Sequence, residues 1–100
     1  MSVLKSILSA DFVLVDKELV KQLGNVKAAF LLAFLKEKEQ KPLGKIIDGY
    51  FPLTVEEVQA EIGLTYREQA ACIEILTSNN LIHSCRLGGL PCKRHFKLIK

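Results

Sequence analysis

The sequence FPLTVEEVQAEIGLTYREQAACIEILTSNNLIHSCRLGGLPCKRHFK, at residues 51–97, contains the same helix-capping signal twice. Thr54 is followed three residues later by Glu57, and Thr65 three residues later by Glu68. This is the spacing of a capping box, in which the threonine oxygen accepts from a first-turn amide and the glutamate accepts from the threonine amide. The repeat predicts two helices that begin eleven residues apart.

The turn between these helices is predicted at Gly63, because glycine adopts the left-handed conformation that ends many helices. The first helix is predicted over residues 55–62 and the second over about 66–79. Helical spacing predicts an inward face of the second helix, with Gln69 and Cys72 at its border. The inward residues are Tyr66, Ala70, Ile73, Leu76 and Thr77. The outward residues are Arg67, Glu68, Ala71, Glu74, Ile75 and Ser78.

Residues 81–99 are predicted to form a basic β-hairpin, with strands at 81–87 and 92–99 around a turn at 88–91. Residues 81–100 contain five of the 14 Lys and Arg side chains and none of the 11 Asp and Glu side chains. A polyanion would therefore be attracted to this end of the chain. Two capped helices at residues 54–80 followed by a hairpin predict an α+β fold. The expected architecture is a winged helix-turn-helix with about four helices, a small antiparallel sheet and this hairpin as its wing.

The bulk composition predicts one domain over residues 1–100. Half of the side chains are apolar (49%), which is enough for one core in a chain of 100 residues. The sequence has no apolar run long enough to span a membrane and no convincing export signal, so we expect a cytoplasmic protein without a membrane partner. Three cysteines, an odd number, favour reduced thiols over a disulfide framework.

The N-terminal half is predicted to contain two further helices. Residues 1–15 form an apolar segment, ending in a short strand, that could serve as a dimerisation arm. Asp16 is predicted to cap a helix over residues 17–23, and Asn25 to cap a second one that ends near residue 40. Residues 40–49 are predicted as a loop, and a short edge strand follows it and includes a proline.

The middle of the second helix, AAFLLAFL at residues 28–35, is apolar most of the way round. Such a helix must be covered on most sides, either by the rest of the domain or by a second subunit. In the first case it is a core helix. In the second case Leu31, Leu32 and Leu35 are the predicted contacts of a homodimer.

Metal binding and catalysis receive little support from the sequence. His83, Cys85, Cys92 and His95 are suitable zinc ligands, but their spacing lacks the Cys-x-x-Cys pattern of most structural sites. The chain also lacks a phosphate-binding glycine loop, a nucleophile elbow and a metal-binding histidine pair. We therefore expect a protein that is not an enzyme and that needs no metal or cofactor.

From residue 6 onward the chain resembles the N-terminal winged-helix domain of plasmid and bacteriophage replication initiators and related replisome-organiser proteins. The similar segments are SILSADFVLVDKELVKQLGNVKAAFLLAFL, FPLTVEEVQAEIGLTYREQAACIEILTSNNLI and GLPCKRHFKL. The most specific parts are the aspartate and apolar run before DKEL, which begin at Asp11, and the wing pattern GLP-x-x-R-x-F-x-L. The residues of that wing pattern in this sequence are Gly89, Leu90, Pro91, Arg94, Phe96 and Leu98. The resemblance implies a dimeric module that binds double-stranded DNA at a replication origin or an operator.

In this mode the second capped helix enters the major groove and the wing contacts phosphates. The predicted residues of the recognition helix are Thr65, Arg67, Glu68, Gln69, Ala71 and Glu74. The predicted wing contacts are Arg86, Lys93, Arg94 and Lys97. Changing Arg94 and Lys97 to alanine is expected to weaken the salt dependence of DNA binding. Arg94 has a second interpretation, because it shares a strand face with Phe96 and could be packed instead.

A different function remains open alongside DNA binding. The exposed face of the second capped helix is weakly basic, and it includes Ala71 and Ile75. The alternative is therefore a winged helix that contacts a protein partner in a replisome or regulatory complex, without reading bases.

Overall fold

The computed structural model of the chain describes residues 15–88 and 93–99, which contain four helices and three strands. These are α1 (Lys17–Leu23), α2 (Val26–Gln40), β1 (Phe51–Pro52), α3 (Val55–Ile62), α4 (Tyr66–Ser78), β2 (Ile82–Leu87) and β3 (Lys93–Leu98). The α+β class and the C-terminal hairpin are confirmed. The predicted arm and strand within residues 1–15, except Val15, and the turn residues 89–91 lie outside the described residues.

Both capping boxes are present at the predicted positions. The Thr54 hydroxyl accepts from the Glu57 amide at 3.1 Å, and the Glu57 carboxylate accepts from the Thr54 amide at 2.9 Å. The corresponding distances at Thr65 and Glu68 are 3.2 and 3.0 Å. Gly63 ends α3 with a φ of 76°, and its amide donates to the Gln59 carbonyl. Because these contacts join residues three or four apart, the local sequence was sufficient to predict them.

The apolar helix α2 is the centre of the core. It packs against α1, α4 and β3. Its buried residues are Ala28, Ala29, Leu31, Leu32, Phe34 and Leu35. The predicted dimer contacts Leu31, Leu32 and Leu35 are only 0–3% exposed within one chain, which corrects their assignment to a subunit interface. Among the described residues, no helix has the length and apolar character needed to cross a membrane.

The strands form an antiparallel sheet in the order β1-β3-β2. Phe96 on the central strand is opposite Phe51 on one side and Ser84 on the other. The rings of Phe51 and Phe96 are both buried, with centroids 6.2 Å apart. Pro52 lies on an edge strand, as predicted, where the missing amide costs no ladder hydrogen bond.

The rotation of α4 differs from the prediction. Its buried residues are Gln69, Cys72 and Leu76, whereas Tyr66 is 66% exposed. The predicted inward residues Ala70 and Thr77 are exposed too. At 100° per residue, the buried face is turned by roughly 80° from the predicted one. The prediction went wrong because it treated a glutamine as a border residue and a tyrosine as a core residue.

Candidate nucleic-acid interface

The outer face of α4 is open along the length of the helix. Arg67, Ala71, Glu74 and Ser78 are exposed, as the sequence predicted. Tyr66 adds an exposed aromatic ring at the first helical position, which the sequence prediction missed. Helical spacing gave no signal for this exposure, because Tyr66 shares its stripe with the apolar residues Ala70 and Ile73.

Glu68 is held at the start of the same helix. Its carboxylate accepts from the Thr65 amide and forms a salt bridge with Lys27 near the start of α2. Hydrogen bonding to Lys27, followed by the contacts with Thr65, lowers the pKa of Glu68 to about 2. Glu68 is therefore ionised and engaged within the protein, which leaves it poorly suited to the predicted contact with a base. Lys27 had no sequence signal, since 41 residues separate it from Glu68.

Gln69 is fully buried, which corrects its prediction as a residue of the recognition surface. Its side-chain nitrogen donates to the Leu64 carbonyl at 2.8 Å and to the Val55 carbonyl at 3.1 Å. Its side-chain oxygen accepts from an Arg94 nitrogen at 2.8 Å. A buried amide with these partners is satisfied, so the glutamine is accommodated in the core.

Two arginines lie side by side on the hairpin, because Arg86 on β2 is directly opposite Arg94 on β3. Arg94 is half-buried, and its Nε donates to the Leu53 carbonyl at 3.0 Å. Its guanidinium carbon lies 4.9 Å from the centroid of the Phe96 ring. Burial, and then the charge of Arg86, lower the pKa of Arg94 to about 10. Arg94 is thus packed and hydrogen-bonded, as the second interpretation of the sequence had it, while Arg86 is exposed.

A groove of about 290 Å³ separates the arginine pair from α4. Its lining residues are Val55, Tyr66, Ala70, Ile73, Glu74, Arg86 and Arg94. Neither arginine forms a salt bridge with a carboxylate among the described residues. The groove therefore combines apolar side chains with the two arginines and one carboxylate, Glu74, beside the exposed face of the helix.

The four basic residues predicted as wing contacts do not share one face of the sheet. Alternation along β3 puts Lys93 and Lys97 on the face opposite to Arg94. The Lys97 ammonium lies 5.6 Å from the centroid of the Tyr50 ring, which belongs to the loop before β1. Arg86 and Arg94 are brought together beside α4, whereas Lys97 is directed away from it.

The structure describes three of the four residues that were considered as zinc ligands. Cys85 is opposite His95 across the hairpin, and His95 is buried with its Nδ1 2.9 Å from the Lys93 carbonyl oxygen. Cys92 lies outside the described residues. In residues 15–88 and 93–99, no three His, Cys, Asp or Glu side chains are grouped closely enough to hold a metal ion.

The exposed face of α4 could enter a groove of a nucleic acid, and the guanidinium groups beside it could bind an anion. Arg67, Arg86 and Glu74 are exposed charged residues of this surface. Comparisons with protein-family models, curated proteins and solved structures give no match.

Proposed function

We propose that this chain is a winged-helix domain that binds double-stranded DNA, with α4 as the recognition helix and the β2–β3 hairpin as the wing. The proposal is supported by the element order, in which a short strand precedes two capped helices and a hairpin follows them. It is also supported by the strand order β1-β3-β2, in which the hairpin pairs with the strand that precedes the two capped helices.

The observation that carries the proposal is the cross-strand pair of Arg86 and Arg94 beside the exposed face of α4. Like charges directly opposite each other destabilise a hairpin, so the pair costs folding free energy in the isolated protein. A phosphate group offers a direct anionic partner, which neither arginine has among the described carboxylates, since Glu56 and Glu57 attract Arg94 without forming a salt bridge with it. Guanidinium groups bind phosphates well, because their forked donors match two phosphate oxygens.

The proposed docking places the first turns of α4 in the major groove. Arg67 is the residue suited to a forked contact with guanine, and Thr65 and Ala71 are near enough to the helix start to approach base edges or the backbone. Arg86 would contact a phosphate of the same duplex. Phosphate contacts supply most of the affinity and no sequence information.

The biological role we propose is replication initiation or transcription regulation, in a plasmid- or phage-related system. It rests on the sequence resemblance to replication initiators. A homodimer, which the same resemblance implies, would need a surface other than Leu31, Leu32 and Leu35, because these side chains are buried within one chain.

A protein partner is the second candidate, and the exposed composition of α4 favours it. Tyr66, Ala70 and Ala71 are exposed, and Glu74 among them would repel a phosphate. Aromatic side chains such as Tyr66 are enriched at contacts between proteins. In this alternative the same helix face binds a component of a replisome or regulatory complex.

Binding to a fluorescent mixed-sequence duplex, measured by anisotropy over a range of salt concentrations, tests the proposal. Each phosphate neutralised contributes about −0.9 to the slope of log Kobs against log salt. We expect a slope steeper than that of a single contact. Absence of binding at low salt, or a slope shallower than about −0.9, would reject DNA as the ligand and favour the protein partner.

A further inference from the structure

Among the described residues, β1 pairs with only part of the β2–β3 hairpin. Within the three-stranded part of the sheet, β1 pairs only with Phe96 and His95 of β3. One more backbone hydrogen bond, from the Leu53 amide to the Arg94 carbonyl at 3.0 Å, extends this pairing. Beyond Arg94 the described hairpin consists of the strand pair Leu87 and Lys93, followed by Gly88. Two-stranded ribbons are strongly twisted, so the contacts at Arg94 help to set the direction of this end of the hairpin, in addition to the buried side chains of Ile82 and Phe96 nearer its base.

Arg94 and Gln69 hold the hairpin at this point through side chains. Arg94 donates through Nε to the Leu53 carbonyl and through Nη2 to the Gln69 side-chain oxygen. Gln69 in turn donates to the Leu64 carbonyl, in the turn between α3 and α4, and to the Val55 carbonyl at the start of α3. Two side chains thus connect β3 to the end of β1 and to both capped helices.

We propose that Gln69 and Arg94 form a latch that sets the direction of the hairpin relative to α4, so that Arg86 can reach a phosphate of the duplex that α4 contacts. Arg94 and Gln69 are positioning residues in this proposal, and Arg86 is the ligand of the phosphate. Arg86 is opposite Arg94 in the hairpin, so fixing Arg94 also fixes the base of the Arg86 side chain. The role in DNA binding rests on the proposed function, whereas the latch itself can be measured in the free protein.

The geometry of the latch explains why an amide and a guanidinium are used. The planar guanidinium donates to two acceptors in directions that its shape determines, which an ammonium group cannot do. The amide accepts on one side and donates on the other, so it passes the constraint from the hairpin to the helix turn. Full satisfaction of all these groups makes such a buried network specific for one arrangement. All described buried side-chain nitrogen and oxygen atoms, including these, have partners.

Two charge-conserving variants test the latch. Gln69→Met keeps the approximate size of the side chain and removes all three hydrogen bonds. Arg94→Lys keeps the positive charge and the apolar stem but loses the fork, and it serves if Gln69→Met does not fold. The matched control is Gln59→Met, because Gln59 has an exposed side chain on α3 in the same pair of helices.

Residual dipolar couplings of the backbone amides measure the direction of the hairpin in the free protein. In the natural protein we expect the amides of α4 and of the hairpin to fit one common alignment tensor. In Gln69→Met and Arg94→Lys we expect the hairpin couplings to deviate from the tensor of α4, with no such change in Gln59→Met. Hairpin couplings that still fit the α4 tensor in both latch variants would overturn the latch, whether or not the protein binds DNA.

Salt titration of duplex binding measures whether the latch is needed for the phosphate contact of Arg86. Arg86→Ala is expected to make the log-log slope shallower by about 0.9, the contribution of one phosphate. Gln69→Met removes no charge, yet we expect it to produce the same change. The double variant Gln69→Met/Arg86→Ala should show no further loss of slope beyond either single variant, because both substitutions remove the same phosphate contact. An unchanged slope in Gln69→Met, with the couplings altered, would overturn the link to Arg86.

The two failures are distinguishable. If the natural protein binds no duplex at low salt while the couplings of the latch variants change as expected, the proposed function fails and the latch stands. If duplex binding has the expected slope while the couplings do not change, the latch fails and the proposed function stands.

Discussion

Arg86 and Lys97 should differ sharply in their effect on DNA binding, although both are basic residues of the same hairpin. The sequence alone grouped them as wing contacts. In the structure Arg86 shares the α4-facing side of the sheet with Arg94, and Lys97 is on the other side, over the Tyr50 ring. If α4 docks in the major groove, only the side that carries Arg86 faces the duplex.

The expected magnitude follows from counting phosphate contacts. In the proposed docking Arg86→Ala removes one phosphate contact, which changes the slope of log Kobs against log salt by about 0.9. Between 50 and 200 mM salt, a fourfold change, the ratio of natural to variant affinity then falls by a factor of about 3.5. Lys97→Ala should change the slope by less than about 0.3, a third of one contact, because in the proposed docking its ammonium lies on the side of the sheet that faces away from the duplex.

The folding free energies should show the opposite order. Lys97→Ala removes the cation–π contact with Tyr50, which is expected to cost about 0.5–1 kcal/mol at an exposed site. Arg86→Ala removes a like charge opposite Arg94, so the free energy of unfolding should stay constant or rise by a few tenths of a kcal/mol. Urea denaturation of both variants, beside anisotropy titrations on one duplex, measures the two effects independently.

A specific result would refute this reasoning. If Lys97→Ala changes the salt slope as much as Arg86→Ala does, the duplex contacts the side of the sheet that faces away from α4. The docking of α4 in the major groove would then be wrong. Lys93→Ala is the matched control, because Lys93 is an exposed lysine on the same side of β3 as Lys97.

Three further predictions concern the fold that presents this surface. Glu68 has a folded-state pKa of about 2, below an unfolded value of about 4.3, so its contribution to stability is present above about pH 5 and is lost as pH falls towards 2. Glu68→Gln can still complete the capping box, so in urea titrations it should lose less stability than the natural protein between pH 5 and 2. Glu74→Gln is the control, and equal losses in Glu68→Gln and the natural protein would contradict the role of Lys27. Leu35→Ala should lower the free energy of unfolding by about 3 kcal/mol at all protein concentrations, because Leu35 is fully buried within one chain. A loss of stability that depends on protein concentration would instead indicate that Leu35 lies in a dimer interface. Gly63→Ala should cost about 1 kcal/mol through the left-handed φ of 76° alone, since a Cβ there would meet no atom within 4 Å, and a loss of several kcal/mol would indicate an unrecognised contact.

Local features of the candidate site were predictable from the sequence, and its contacts between distant residues were not. The capping threonines and the exposed Arg67, Ala71 and Glu74 lie where the sequence placed them. The tight turn at Asp48 and Gly49 was predicted only as part of a loop, although Asp-Gly favours the positive φ values of 52° and 83° found there. Lys27 and Arg94 each bond to a partner 25 or more residues away, and single-residue patterns carry no record of such partners.

The sequence by itself determined the elements of this protein. Helix caps, left-handed glycines and strand propensity act between residues that are neighbours in the chain, so their consequences could be predicted without the fold. The tertiary structure alone decided the orientation of those elements. Gln69 is in the core and Tyr66 is outside it because a buried amide costs little once it has partners, and those partners come from α3, the helix turn and β3. The same folding separates Arg86 from Lys97, since adjacent strands fix which side chains share a face.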